Sequence, residues 1–300
     1  MRLGTRASAL ARAQTGQIRQ TLERLHPGLE VETVLIRTSG DRLSQGALAA
    51  AGGKGLFVKE LEEALAESRI DCAVHSMKDV PASLAPGLAI GAIPPRADAR
   101  DVLVGGGADG LKGLAPGTRI GTASVRRRAQ LLARRRDVEV TFLRGNVDTR
   151  LGKWRAGEVD ALVLAAAGLA RLGIVEPAAR PLDPDVLLPA VGQGALALEC
   201  RAGDAATRTV LATLADRDAA DSVAAERAFL LAIGGDCNTP LAAHARVAGD
   251  RIELRVQVSD PDGREWFEDH GSAPRADAER LGRELAVRLL DRGAAQVLGR

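Results

Sequence analysis

Aromatic side chains make up only 2% of the 300 residues, and tyrosine is absent. That excludes a surface that stacks single-stranded nucleic acid on aromatic rings. Three cysteines are too few for a disulfide framework and suit a reducing cytoplasm. Long apolar runs are missing: the longest, Ala161 to Ala170, is about half a membrane span. The start of the chain, Met1 to Arg6, has no hydrophobic signal core. The four histidines, at positions 26, 75, 244 and 270, lack metal-ligand spacing, so no metal site is expected. Lysine is rare too: 36 of the 41 basic residues are arginine, which makes Lys54, Lys59, Lys78, Lys112 and Lys153 conspicuous.

What remains is globular. Hydrophobic residues are 46% and charged residues 27%, enough for a real core, and the length predicts two or three domains. The net charge of +2 is unevenly spread. Residues 100–190 hold 15 basic and 10 acidic groups, and residues 216–300 hold 12 and 16. An anionic partner should therefore meet the middle of the chain. The excess is too modest for a nucleic-acid binder.

Hydrophobic periodicity predicts a helix over 8–25, a strand over 31–36, a helix after the turn at Gly52–Gly55, and a strand over 70–74. Beyond Pro94-Pro95 the rhythm restarts. Strands are expected at 119–121, 139–143 and 161–164, each followed by a helix, which argues for a second α/β domain with a mostly parallel sheet. Residues 195–200 read as another strand, able to return to the first domain. From Ala219 onward, helices and antiparallel strands fall in separate runs, as in a small α+β domain.

Several strand ends carry chemistry. Gly4-Thr5-Arg6-Ala7-Ser8 and Gly121-Thr122-Ala123-Ser124 each lead into a helix that the serine can cap. The free amides there, with Arg6 or with Arg126 and Arg127, can also face an anion. Arg144 and Arg150 flank a Gly145-Asn146 turn, and Arg171 precedes a helix stop at Gly173. This recurrence suggests a cleft for a substrate with several negative charges. The triplet Arg134-Arg135-Arg136 reads as a solvated helix face. One loop, His75 to Pro81, combines an imidazole, a hydroxyl, an ammonium and a carboxylate. Asp79 is its candidate for proton transfer, although a helix cap or an ion pair with Lys78 fits the loop equally. Cys72 and Cys200 read as buried strand positions. Cys237 sits in a Gly-, Asp- and Asn-rich loop, where a thiol is available for chemistry or is incidental.

Taken together, GTRAS (4–8), GGKGLFVKELE (52–62), HSMKDVP (75–81), GTASVRR (121–127), RGNVDTR (144–150), LPAVGQG (188–194) and CNTP (237–240) resemble the porphobilinogen deaminase family, in its order and over nearly the whole chain. The resemblance implies an α/β fold of three domains. Two are halves like those of a periplasmic binding protein, 1–94 with 195–212 and 100–188, with a cleft between them. The third, 217–300, is a small α+β domain that carries the cysteine.

It further implies one dipyrromethane cofactor per chain, joined to Cys237 by a thioether. Four porphobilinogen units are added to it head-to-tail, each with loss of ammonia, and water releases hydroxymethylbilane. By matching position, Asp79 is the catalytic carboxylate. Lys78, Ser124, Arg126, Arg127, Asn146 and Arg150 bind the cofactor. Arg6, Ser8, Arg144, Arg171 and Gln193 bind substrate, with Gln193 on a hinge segment. A cytoplasmic monomer is implied, with porphobilinogen as its partner and neither nucleic acid nor membrane.

Two positions depart from the family pattern. Asp236 replaces a glycine beside Cys237 and should disfavour the thiolate, and Ala50 replaces a lysine. The alternative class is a non-catalytic anion receptor of the binding-protein kind, which would need neither Cys237 nor Asp79.

Overall fold

In the computed structural model, residues 1–38, 58–236 and 239–298 are described. Cys237, Lys54, Ala50 and the Gly52–Gly55 turn lie outside the described residues. Three strands of the first sheet, β1 (Arg2–Arg6), β2 (Glu32–Ile36) and β3 (Cys72–Ser76), run parallel. The antiparallel strand β10 (Leu196–Arg201) separates β3 from β4 (Leu88–Ala92), giving the order β2-β1-β3-β10-β4. Helix α1 (Ala9–Leu25) begins at Ser8, whose side chain accepts from the Ala11 N–H. Ala11, Thr15, Ile18 and Leu22 recur at helical spacing on its buried face. Ile18 and Leu22 join Leu3, Cys72, Val74, Leu198 and Cys200 in one core cluster. Truncating a residue as buried as Leu22 to alanine costs about 2–5 kcal/mol. A short helix, α2 (Lys59–Ala66), covers the sheet with Leu61 and Leu65.

The second sheet repeats the plan with β5 (Asp101–Val104), β6 (Arg119–Gly121), β7 (Glu139–Thr141), β8 (Ala161–Ala165) and β9 (Ala179–Pro181), in the order β7-β6-β8-β5-β9. β6, β7 and β8 are parallel, and β5 is antiparallel to both β8 and β9. β8 is the central strand, which explains its unbroken apolar run; a strand covered on both faces has no polar alternation. Helices α3 (Val125–Arg134), α4 (Val147–Arg155) and α5 (Ala166–Arg171) follow β6, β7 and β8 in turn.

After α6 (Ala205–Ala212), helices α7 (Arg217–Ile233) and α8 (Ala278–Leu289) accompany an antiparallel sheet of β11 (Leu241–Ala248), β12 (Arg251–Ser259) and β13 (Trp266–Pro274). Gly282 lets α8 lie directly against α7, where a Cβ would strike the Ala225 carbonyl. The fold is mixed α/β: two five-stranded sheets and a small three-stranded sheet toward the C-terminus. By packing, the chain divides into two units, Met1–Ala97 with Ala195–Ala220 and Asp98–Gly194 with Asp221–Arg300.

The structure differs from the sequence reading in places. The strand expected at 70–74 is Cys72–Ser76, so His75 and Ser76 are ladder residues and not loop. β4, β5, β9, β13 and α6 were not expected. β13 carries Glu268, Asp269, His270 and Ser272 with few apolar residues, because it is the edge of its sheet and only β12 pairs with it.

Candidate active site

In both large sheets the candidate residues gather where the three parallel strands end, the edge at which open α/β sheets bind ligands. In the first unit, β1 ends at Arg6 and Ser8 caps the helix that follows. β3 ends in one tight 3₁₀ turn, Met77–Asp79, which presents Lys78 and an exposed Asp79. Met77 anchors the turn: its side chain is buried, its N–H donates to the Ala195 carbonyl, and its own carbonyl accepts from the Val80 N–H. Beneath it, the buried Gln14 donates to the Ser76 hydroxyl at 2.8 Å.

In the second unit, Ser124 sits in an extended conformation and accepts from the Arg127 N–H, capping α3. The helix thereby turns Arg126 and Arg127 inward, where both are buried. Arg126 donates to Asp101 Oδ2 at 2.7 Å and to the Leu188 carbonyl at 2.6 Å. Arg127 donates twice to Asp101 Oδ1, at 2.7 and 3.1 Å, and once to the Val163 carbonyl. Gln193, also buried, donates to Asp101 Oδ1 at 3.0 Å and to the Ala99 carbonyl at 2.6 Å.

Burial alone would raise the Asp101 pKa, but the two guanidiniums outweigh it and hold the carboxyl at about 2. Burial lowers the Arg126 pKa, and Asp101 offsets part of that; an arginine stays charged all the same. Within this cluster two guanidiniums face one carboxylate, an excess of one positive charge.

Asp101 is the group the sequence reading missed. Its signal was an acid opening a wholly apolar strand, Val102-Leu103-Val104, with no room for solvent. The arginines expected to grip a ligand, Arg126 and Arg127, are bonded to this carboxylate of the chain itself.

Arg171 differs. It closes α5, is partly buried, and donates to the Gly194 carbonyl at 2.7 Å. Burial lowers its pKa to about 10, and among the described residues no carboxylate lies within ion-pairing distance. Arg144 is partly buried and lies over the Phe142 ring, 5.5 Å from its centre. Arg150 donates to the Gly145 carbonyl at 2.6 Å. Gly145 has φ +126° and a Cβ there would press on Thr149, so the turn between the two arginines requires glycine. Asn146 begins α4, but its side chain makes no capping bond and is exposed.

The triplet at 134–136 is solvated as expected at Arg134 and Arg136, which are exposed, but Arg135 is partly buried and all three side chains are engaged. Arg135 grips the Leu111 and Leu114 carbonyls and Asp137, Arg136 holds the Asp262 and Gly263 carbonyls, and Arg134 stacks on Trp266. The cause is local: the end of α3 meets backbone carbonyls of two loops, and guanidiniums satisfy them. Cys72 and Cys200 are buried and face each other across β3 and β10, and burial pushes both thiols up, so neither is reactive.

Comparison with known proteins gives a consistent result. The family described as "Porphobilinogen deaminase, dipyromethane cofactor binding domain" matches residues 1–209, and "Porphobilinogen deaminase, C-terminal domain" matches residues 220–291. The chain is 52% identical over 298 residues to the porphobilinogen deaminase of Syntrophotalea carbinolica, covering 99% of this chain and 95% of that one. It is 49% identical to that of Acidithiobacillus ferrooxidans, covering 99% and 97%. Among solved structures, the periplasmic aliphatic sulphonate binding protein of Escherichia coli is similar at 16% identity and TM-score 0.40, over 77% of this chain and 69% of that one.

Proposed function

The chain belongs to the porphobilinogen deaminase family, and from that membership we propose how its own residues divide the work. The protein is a transferase of tetrapyrrole biosynthesis that uses a dipyrromethane cofactor and porphobilinogen as substrate. The finer reading is that four substrate units join head-to-tail, with loss of ammonia, and that hydrolysis releases hydroxymethylbilane from a cytoplasmic monomer. Its domains follow the limits 1–94 with 195–212, 100–188 and 217–300.

The donor set fits a group that bears several carboxylates. Arg171 carries the most weight: a partly buried guanidinium with one carbonyl partner and no carboxylate among the described residues. Arg144 likewise pairs with no described carboxylate and offers a planar fork. Arg126 and Arg127, bound to Asp101 and to the Leu188 and Val163 carbonyls, act on a ligand through their charge. Lys78, Ser124, Asn146 and Arg150 would hold the cofactor's carboxylates, and Arg6, Ser8, Arg144, Arg171 and Gln193 those of the substrate. When bound, the dipyrromethane supplies the nucleophilic carbon to which units are added. Asp79 stabilises the positive charge that develops as ammonia leaves the substrate's aminomethyl group, and it then takes up the displaced proton.

An anion receptor would need neither Asp79 nor a reactive cysteine, and the family membership does not favour it. The test is the intact mass of the purified protein. Native protein should carry a covalent dipyrromethane adduct, Cys237→Ser protein should lack it, and Cys72→Ser and Cys200→Ser proteins should keep it. An adduct that persists on Cys237→Ser would overturn the attachment.

A further inference from the structure

The turn that carries Lys78 and Asp79 rests on a buried cluster that the mechanism above does not use. Across the β3–β10 ladder His75 pairs with Ala197 and Glu199 with Ala73, so His75 and Glu199 are diagonal neighbours on one face. His75 Nε2 lies 3.0 Å from Glu199 Oε2, and the two side chains are 3% and 0% exposed. The separation is that of a hydrogen bond, but neither Glu199 oxygen receives a well-directed one, so the attraction is chiefly one of proximity.

Glu62, on α2, faces the same cluster. Burial pushes its carboxyl above the usual range, the hydrogen bond from the Ala85 N–H opposes that rise, and the charge of Glu199 adds to it. Its Oε1 accepts from the Ala85 N–H at 3.2 Å. The neighbouring thiols, Cys72 on β3 and Cys200 on β10, are raised by burial and stay neutral. Among the described residues no group of three His, Cys, Asp or Glu could hold a metal, so a metal cage does not explain the cluster.

Placing the Glu199 carboxylate and the His75 imidazole in the interior, with the partly buried Glu62 facing them, is costly unless the contacts offset it. His75 is four residues before Asp79, and Ala85 is six residues after it.

We propose that Glu199 and Glu62 are positioning residues for the reaction, clamping the segment that carries Lys78 and Asp79 from both ends, Glu199 through His75 and Glu62 through the Ala85 amide. The catalytic consequence rests on the reading of Asp79 given above; the clamp itself does not. Each anchor acts through backbone that it fixes and touches no reacting atom. Losing one loosens one flank of a turn that the Met77 N–H still ties to the Ala195 carbonyl, so Asp79 samples more positions while the arginines of the other sheet are unaffected.

The test is hydrogen exchange followed by mass spectrometry on cofactor-loaded protein, with steady-state kinetics alongside. Glu199→Leu and Glu62→Leu keep most of the volume but remove the oxygens that make the two contacts, and either one alone suffices should the other fail to fold. Exchange in peptides spanning residues 76–85 should quicken about tenfold in each, while peptides from α1 and β6 keep their native rates. kcat should fall about tenfold with KM within twofold, and the exposed control Glu279→Gln should change neither. Unchanged exchange at 76–85 in both folded variants would overturn the clamp. So would a rise spread equally over the whole unit, since that marks general loss of stability. Faster local exchange with normal kcat would support the clamp and refute the role of Asp79 instead, so the two failures are distinguishable.

Discussion

The two large sheets share a strand order, and in each the antiparallel strand contributes one wholly buried acid: Asp101 on β5 and Glu199 on β10. Their surroundings differ. Asp101 receives two guanidiniums and the Gln193 amide. Glu199 has one imidazole nearby, at 3.0 Å, and a second carboxylate in its neighbourhood. Asp101 is held at both oxygens by charge-assisted bonds, whereas the single imidazole contact of Glu199 is not a well-directed hydrogen bond. The over-neutralised sheet presents the arginines, which need a fixed field. The sheet with the looser acid carries the turn on which proton chemistry is expected.

The sharpest way to break that contrast is to remove Asp101. Asp101→Asn leaves Arg126 and Arg127 buried without a counter-charge, and loss of one partner of a buried pair costs about 3–5 kcal/mol. Denaturant unfolding should show a large fall in midpoint, well beyond that of Glu199→Gln. Equal losses would erase the distinction. The same contrast has a pH signature. Asp101 falls from an ordinary value of 3.8 to about 2 on folding. Its folded pKa is depressed, so its contribution is complete above about pH 4 and is lost as pH falls toward 2. The size is about 2 kcal/mol, read as stability against pH in native and Asp101→Asn proteins.

Next in size is Arg171→Lys. It keeps the charge but loses the planar fork, at about 1.5–3 kcal/mol per charge-assisted bond to the ligand. KM for porphobilinogen should rise about tenfold or more, with thermal stability little changed. If KM stays at the native value, Arg171 is bound to Gly194 for structural reasons alone.

The smallest effect separates a pinned arginine from a solvated one. Arg135 bonds the Leu111 and Leu114 carbonyls and Asp137, whereas the exposed Arg283 pairs, among the described residues, with Glu279 one turn away. Arg135→Lys should lower the melting temperature on the order of a degree or two, and Arg283→Lys should leave it alone. No difference between them would restore the solvated-face reading of the triplet at 134–136.

Much of this was legible in the residues, and the failures are instructive. β6, at Arg119–Gly121, and the Ser124 cap followed from local rules alone, because three residues of strand and a capping hydroxyl carry their own signals. The strand-end serines and arginines were visible for the same reason. Asp101 was not, since what makes it matter is its meeting with Arg126 and Arg127, 25 and 26 positions along the chain. His75 read as a loop residue because a histidine and a serine end a strand poorly by propensity. Pairing with Leu196 and Ala197 carries β3 on through Ser76. Local pattern also hid the engagement of Arg135 and Arg136, whose partners are carbonyls, and a carbonyl leaves no mark on a sequence.

The account stands or falls on whether the chemistry belongs to the turn after β3 while the arginines of the second sheet hold carboxylates. Single-turnover kinetics on cofactor-loaded Asp79→Asn protein tests this most directly, because loading removes failed assembly as a cause of lost activity. Asparagine keeps the shape of Asp79 but neither its charge nor its ability to exchange a proton. The rate of adding one porphobilinogen unit should fall about a hundredfold or more, the usual scale for removing an acid–base group, while substrate affinity stays within a few-fold of native. A near-native rate in the loaded variant would contradict the account, leaving Asp79 as a surface carboxylate and assigning the proton transfer elsewhere.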